Sequence, residues 1–158
     1  MDQTQAIFDK FRVLVGQEIA VGDWFTIEQD RIDAFAKVTG DEQWIHVDPD
    51  RAKTDSPYGT TVAHGFLTLS LLPYLTKGND PETFAKDFPG MRIRVNYGLN
   101  KVRFPSPVKC GARVRARTMV SSVDIVDGGL QLVFTMTVDI QDETKPACVA
   151  EQIFRLYP

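Results

Sequence analysis

The sequence is short of cysteine and histidine, has no long apolar run, and carries no excess of positive charge. Each shortage removes a class of protein. Its two cysteines, Cys110 and Cys148, stand in no CxxC or other metal spacing, so they read as reduced packing residues. No apolar stretch approaches the length that spans a bilayer. The first twelve residues include Asp2 and Asp9 and no continuous apolar region, so they do not read as a signal peptide. A cytoplasmic location is therefore the expectation. The net charge of -3 and pI near 5.3 argue against nucleic acid or a membrane surface as partner, since both demand concentrated positive charge. There is no Gly-rich phosphate or dinucleotide loop, and neither Ser56 nor Ser70 sits in a GxSxG context.

What remains is ordinary globular composition. The chain has 158 residues, 43% hydrophobic and 25% charged, which suits one domain over the whole chain, 1–158, with a real core. Residues 4–14 place Ile7, Phe8, Phe11 and Leu14 at helical spacing, and Gly16 ends that helix. Residues 21–27 are β-prone. Residues 28–38 read as a second helix with Ile32, Phe35, Ala36 and Val38 on its apolar side, closed by Thr39-Gly40. Residues 40–59 change to turn chemistry, with a short helix near 49–53. Residues 64–76 are apolar nearly all round, which predicts a buried helix whose last turn Pro73 bends or shortens.

The second half alternates. Residues 91–104, 111–126, 130–141 and 147–156 read as strands, and Leu130, Leu132, Phe134, Met136 and Val138 share one side. Asp127-Gly128-Gly129 predicts a tight hairpin, and residues 142–146 the next turn. Helices first and antiparallel strands after predict an α+β fold, a curved sheet wrapped around the apolar helix at 64–76.

Chemistry concentrates in the irregular stretch. Both histidines, His46 and His64, lie there beside carboxylates. Asp41 follows a helix end and precedes His46 closely enough for both side chains to converge on one cleft. A carboxylate and an imidazole together can hold a water and remove its proton. Gly65 opens the apolar helix, where backbone N–H groups are unpaired, and its lack of a side chain lets a carbonyl approach. The plainer alternatives are that Asp41 is a turn residue, that His64 is hydrogen-bonded structurally at the helix start, and that Asp48 caps the segment after it. A metal site drawn from Asp41, His46, Asp48 and His64 lacks a signature such as HExxH, so no metal is expected.

The run Phe35-Ala36-x-Val38-Thr39-Gly40-Asp41-x-x-x-x-His46-x-Asp48-Pro49, followed by Ala63-His64-Gly65, resembles the hydratase 2 motif of the MaoC-like dehydratases, which include the (R)-specific enoyl-CoA hydratases. The string Gln43-Trp44-Ile45-His46-Val47-Asp48 and the later run from Asn96 to Pro105 with Pro107-Val108 are similar to its nodulation protein N-like branch. The resemblance extends from Gly22 to the end. It implies a hotdog fold and a homodimer with paired sheets. It implies that Asp41 and His46 activate the water that attacks C3 of a trans-2-enoyl-CoA, giving an (R)-3-hydroxyacyl product, with the Gly65 N–H polarising the thioester carbonyl. No cofactor is implied, since coenzyme A is part of the acyl-CoA substrate.

Two departures stand out. Gln43-Trp44 replaces the commoner Asn-Pro, and a serine that supports the catalytic acid in some hydratases falls at Pro73, with Ser70 one turn earlier. Residues expected to face substrate are Trp44, His64, Phe66, Asn96, Tyr97 and Arg103. Asn96 and Tyr97 either line the cleft or satisfy a strand bulge near Gly98. Arg92, Arg94, Lys101, Arg103, Arg113, Arg115 and Arg117 read as a solvated sheet face, one or two of them free to meet coenzyme A phosphates at a subunit boundary. Two other functions compete with hydration: thioester hydrolysis, and acyl-thioester binding without turnover.

Overall fold

Alternating side chains in the second half of the chain give a sheet with one wet and one dry face, and the first half supplies what covers the dry one. The computed structural model describes residues 3–158. Helix α1 is Gln3–Arg12, followed by short strands β1 (Glu18–Val21) and β2 (Phe25–Thr26). Helices α2 (Gln29–Thr39), α3 (Trp44–Val47), α4 (Pro49–Asp55), α5 (Gly65–Ser70), α6 (Leu72–Leu75) and α7 (Pro81–Asp87) come next. The long strands are β3 (Ile93–Arg103), β4 (Arg113–Val126), β5 (Gly129–Ile140) and β6 (Cys148–Tyr157).

All strand pairs are antiparallel, in the order β1-β4-β5-β6-β3, with β2 also on β4. The β4–β5 hairpin closes at Val126 opposite Gly129, and Gly128 takes a φ of 75°, where only glycine is unstrained. Every member of the β5 stripe, Leu130 through Val138 at alternate positions, is buried. Val114, Ala116 and Val120 of β4 and Cys148, Ala150, Phe154 and Leu156 of β6 continue the dry face. Burial pushes the Cys148 thiol up to about 11, so it is a packing group and not a nucleophile.

The cover over that face differs from a single apolar helix. The 64–76 segment breaks into α5 and α6 at Leu71, whose N–H reaches both Leu67 O at 3.0 Å and Thr68 O at 3.3 Å. Pro73 explains the break: it has no N–H to donate and its ring crowds the carbonyl one turn earlier. Nor is the segment buried all round. Leu67, Leu71, Leu72 and Leu75 face the core, but Phe66 is 68% exposed and Tyr74 61%. The rest of the dry face is covered by α1, whose Phe11 ring stacks on Phe88 at 5.3 Å and meets Phe134 edge-on at 6.2 Å. Leu14 lies beyond α1, and Val38, assigned to the apolar side of α2, is 81% exposed.

Helix α7 falls where no element was expected. Its start is local chemistry: the Asp80 carboxylate accepts from the Thr83 N–H at 2.8 Å, and Pro81 fits the first helical turn. The arginines are not uniformly solvated. Arg117 clips three strands together, donating to Asp139 from Nε at 2.8 Å and Nη2 at 3.1 Å, and to Glu18 at 3.0 Å. Arg94 turns inward, over the ring of Phe154. Among the described residues, no helix is long and apolar enough to cross a membrane.

Candidate active site

Gly40 ends α2 in the left-handed conformation at φ 80°, its N–H bonded to Ala36 O at 2.8 Å. That reversal throws Asp41 out of the helix, exposed, with its N–H 3.4 Å from the Thr39 hydroxyl. One turn of helix, α3, follows and carries His46. Asp48 then caps α4 by accepting from the Arg51 N–H at 3.0 Å, the structural role expected of it.

His46 is 8% exposed and held at both ends. Its Nδ1 lies 2.6 Å from the Val62 carbonyl. A carbonyl can only accept, so Nδ1 carries the proton and Nε2 keeps its lone pair. Its own carbonyl accepts from Gln29 Nε2 at 2.7 Å, and Gln29 Oε1 accepts from the Thr61 hydroxyl at 2.5 Å. A main-chain bond from the Val62 N–H to Ile45 O, 3.0 Å, fixes the same two segments side by side.

His64 is 3% exposed, and its Nε2 lies 2.8 Å from the Asp41 carbonyl. By the same reasoning its proton sits on Nε2, and Nδ1 is buried without a partner. The two imidazoles stack, 3.8 Å between centroids and 24° between planes, with the Phe35 ring 5.0 Å from His64. Thus His64 holds the main chain of Asp41 and backs the ring of His46. An Asp41 carboxylate oxygen and one ring nitrogen of each histidine lie within 4.8 Å of one another. The convergence expected of Asp41 and His46 is present.

The same trio is a candidate cation site, but its geometry is poor for one. Imidazole lone pairs lie in the ring plane, and the two rings lie in stacked, nearly parallel planes, so their lone pairs do not meet at a point between them. The donor set holds no cysteine.

Gly65 opens α5, and the first ladder bond there runs from the Leu67 N–H to His64 O at 3.1 Å, so the Gly65 N–H lies ahead of the ladder. Glycine is required for a reason the sequence did not reveal. A Cβ at Gly65 would lie 2.9 Å from the ring of Phe104. Phe104 also meets Phe66 edge-on at 6.0 Å. Gln29, Thr61, Val62 and Phe104 are thus site residues that sequence reasoning missed. The first three act through a side-chain amide, a hydroxyl and a main-chain carbonyl, groups that leave no motif.

The remaining expected residues have other partners. Trp44 is half-buried beneath the Arg51 guanidinium, 4.3 Å away. Asn96 accepts from Gln152 at 3.3 Å, and Tyr97 sits under the Arg155 guanidinium at 3.6 Å. The register shift between Asn96 and Gly98 makes Tyr97 the extra residue of a bulge, the second of the two readings open for that pair. Exposed Arg103 donates to Val102 O at 2.7 Å. Asn96, Tyr97 and Arg103 are on β3, and none of these partners belongs to the histidine cluster.

A family model described as MaoC like domain matches residues 10–143. The chain is 48% identical over 141 residues to 3-hydroxyacyl-thioester dehydratase Z of Mycobacterium tuberculosis, covering 89% of each chain. It is 46% identical over 147 residues to nodulation protein N of Rhizobium leguminosarum bv. viciae, covering 88% of this chain and 84% of that one. Its fold is like that of the R-hydratase PhaJ1 from Pseudomonas aeruginosa, with TM-score 0.67, 23% identity, and 90% and 81% of the two chains covered.

The Gly65–Phe104 contact yields a double-mutant cycle. Gly65→Ala should lower unfolding free energy by about 1–3 kcal/mol through overpacking. Phe104→Leu in the same chain should recover part of that loss, because the methyl then has room. Urea denaturation of the two single variants and the double variant measures this; strictly additive effects would show that the ring does not press on Gly65.

Proposed function

The chain belongs to the MaoC-like domain family, and on that footing we propose that it adds water across the double bond of a 2-enoyl thioester and runs the reverse dehydration. It is a hydro-lyase of the hotdog fold. The observation that carries the reading is the pairing of Asp41 with a histidine whose Nδ1 proton is committed to Val62, which leaves the lone pair on Nε2.

Asp41 accepts a hydrogen bond from a water and orients it. His46 Nε2 takes the water's proton as the oxygen bonds to C3 of the acyl chain. The C2–C3 π electrons move toward the thioester carbonyl, and the Gly65 N–H stabilises the charge that gathers on its oxygen. The dyad then returns a proton to C2, so the elements of one water are added and the product is a 3-hydroxyacyl thioester. The (R) configuration and coenzyme A as carrier are the finer part of the proposal. They rest on the resemblance of the Asp41-to-Gly65 motif, while the dehydratase name of the relative at 48% identity supports the thioester reaction. The substrate is neither oxidised nor reduced, so the reaction calls for no cofactor, coenzyme A being part of the substrate.

Phe66 and Phe104 flank Gly65 and offer apolar surface to the acyl chain. Exposed Arg103, next to Phe104, is the cation available to a coenzyme A phosphate. Trp44 bounds the segment that carries His46. The free thiols of Cys110 and Cys148 suit a reducing, cytoplasmic setting.

The working form is a homodimer. β3 is an edge strand of 11 residues whose outer side has no partner strand among the described residues. It exposes Ile93 at 57%, Val95 at 40%, Tyr97 at 55% and Leu99 at 41%. A bare apolar edge of that length invites pairing with a second copy across a two-fold axis. Because Phe104 follows β3 directly and touches Gly65, that interface runs up to the site.

Two tests apply. With crotonyl-CoA, the protein should abolish the enoyl absorbance without releasing free thiol. Asp41→Asn and His46→Gln should each lower kcat by about 10²-fold or more while remaining folded, as circular dichroism would show. Thiol release would indicate hydrolysis, and near-parental rates in both variants would remove the assigned roles. Light scattering should give twice the chain mass for the parent, and one chain mass for Val95→Lys combined with Leu99→Lys. A monomeric parent would refute the edge pairing.

A further inference from the structure

Away from the histidines, a half-open cavity of about 430 Å³ lies between α1, α7 and the dry face of the sheet. Its apolar wall is Phe11, Phe84, Phe88, Phe134, Met136 and Phe154. None of Asp41, Trp44, His46, His64 or Gly65 lines it. The volume is that of a small-molecule site, and aromatic rings with a methionine suit an alkyl chain.

One charge in this wall is not accounted for. Half-buried Arg94 donates to Asn79 Oδ1 at 2.7 Å and lies 4.6 Å over the Phe154 ring, and a Cβ at Gly78 would be 2.8 Å from its Nη2. The two carboxylates of the same wall have other partners: Glu18 is 3.0 Å from Arg117, and Asp87 is 3.9 Å from Lys10, which also lines the cavity. Among the described residues, Arg94 has no carboxylate within ion-pair distance. Cations withdrawn from water are ordinarily matched by an anion, and a guanidinium fork matches a carboxylate by two parallel bonds. Burial also pulls the Arg94 guanidinium below its ordinary value, a cost that an anion beside it would offset.

We propose that this cavity is a second ligand site, separate from the hydration site, which takes an amphiphile with an alkyl chain and a carboxylate head, the head held by Arg94. The plain alternative is that Arg94 only ties β3 to the loop before α7 through Asn79.

Calorimetric titration of the full chain with octanoate and with octan-1-ol, combined with amide NMR shifts, decides between them. Octanoate should bind about tenfold or more tightly than the alcohol, the worth of one charge-assisted hydrogen bond. Its shifts should centre on Phe88, Arg94 and Phe154. Arg94→Gln should erase the preference and leave octan-1-ol binding as it was. Equal affinities for the two probes, no octanoate binding, or shifts centred on His46 would each overturn the proposal. These readouts do not involve turnover, so they stand or fall independently of the hydration reaction.

Discussion

The Val62 carbonyl accepts a hydrogen bond from the Nδ1–H of His46 across 2.6 Å, and the chemistry proposed for the site depends on that bond. An imidazole with a free choice of tautomer would split its population between a form that can accept a proton from water at Nε2 and one that cannot. A buried carbonyl removes the choice, because leaving it unpaired would cost about 1–3 kcal/mol. The ring also has little room to swing. His64 stacks on one face, and the His46 main chain is tied to Gln29 on α2. His64 adds a second constraint by holding the carbonyl of Asp41, so Asp41 and His46 share a common support.

The fold's contribution is to bring four short segments to one place. α2 delivers Asp41 at its left-handed end, and α3 presents His46. Residues 61–64 run beside α3 and lead into α5, while the end of β3 leads into Phe104 beside Gly65. The Ala63 N–H bonds Val108 O at 2.7 Å, which anchors the 61–64 segment to the chain beyond β3. The sheet itself contributes no side chain to the cluster of Asp41, His46 and His64. It is the rigid floor against which Leu67, Leu71, Leu72 and Leu75 seat α5 and α6, and it thereby sets where the Gly65 N–H points.

Much of this was legible in the residues. The alternation of Leu130 to Val138 fixes face and register, and Asp127-Gly128 fixes the hairpin, because period and turn chemistry are local properties. Gly40 as the end of α2 and Asp48 as a cap were readable for the same reason. The paired acid and imidazole were readable because histidine is scarce and the two lie close together in sequence. Less readable were features that depend on distant partners. The shell of Gln29, Thr61 and Val62 works through amide, hydroxyl and carbonyl groups found in every protein. The need for glycine at 65 comes from a ring 39 positions later. The break at Leu71 followed from Pro73, yet its effect reached one turn further back than expected. Arg94 and Arg117 look alike on paper. Only the packed structure gives Arg117 two carboxylates and Arg94, among the described residues, none.

The most direct test of the account is the tautomer of each histidine. Nitrogen-15 NMR of imidazole-labelled protein can read it at a pH where the rings are neutral, and two histidines make assignment simple. The account requires His46 to carry its proton on Nδ1 and His64 on Nε2. A spectrum with the proton of His46 on Nε2 would contradict it, because the nitrogen assigned as the base would then have no lone pair to offer.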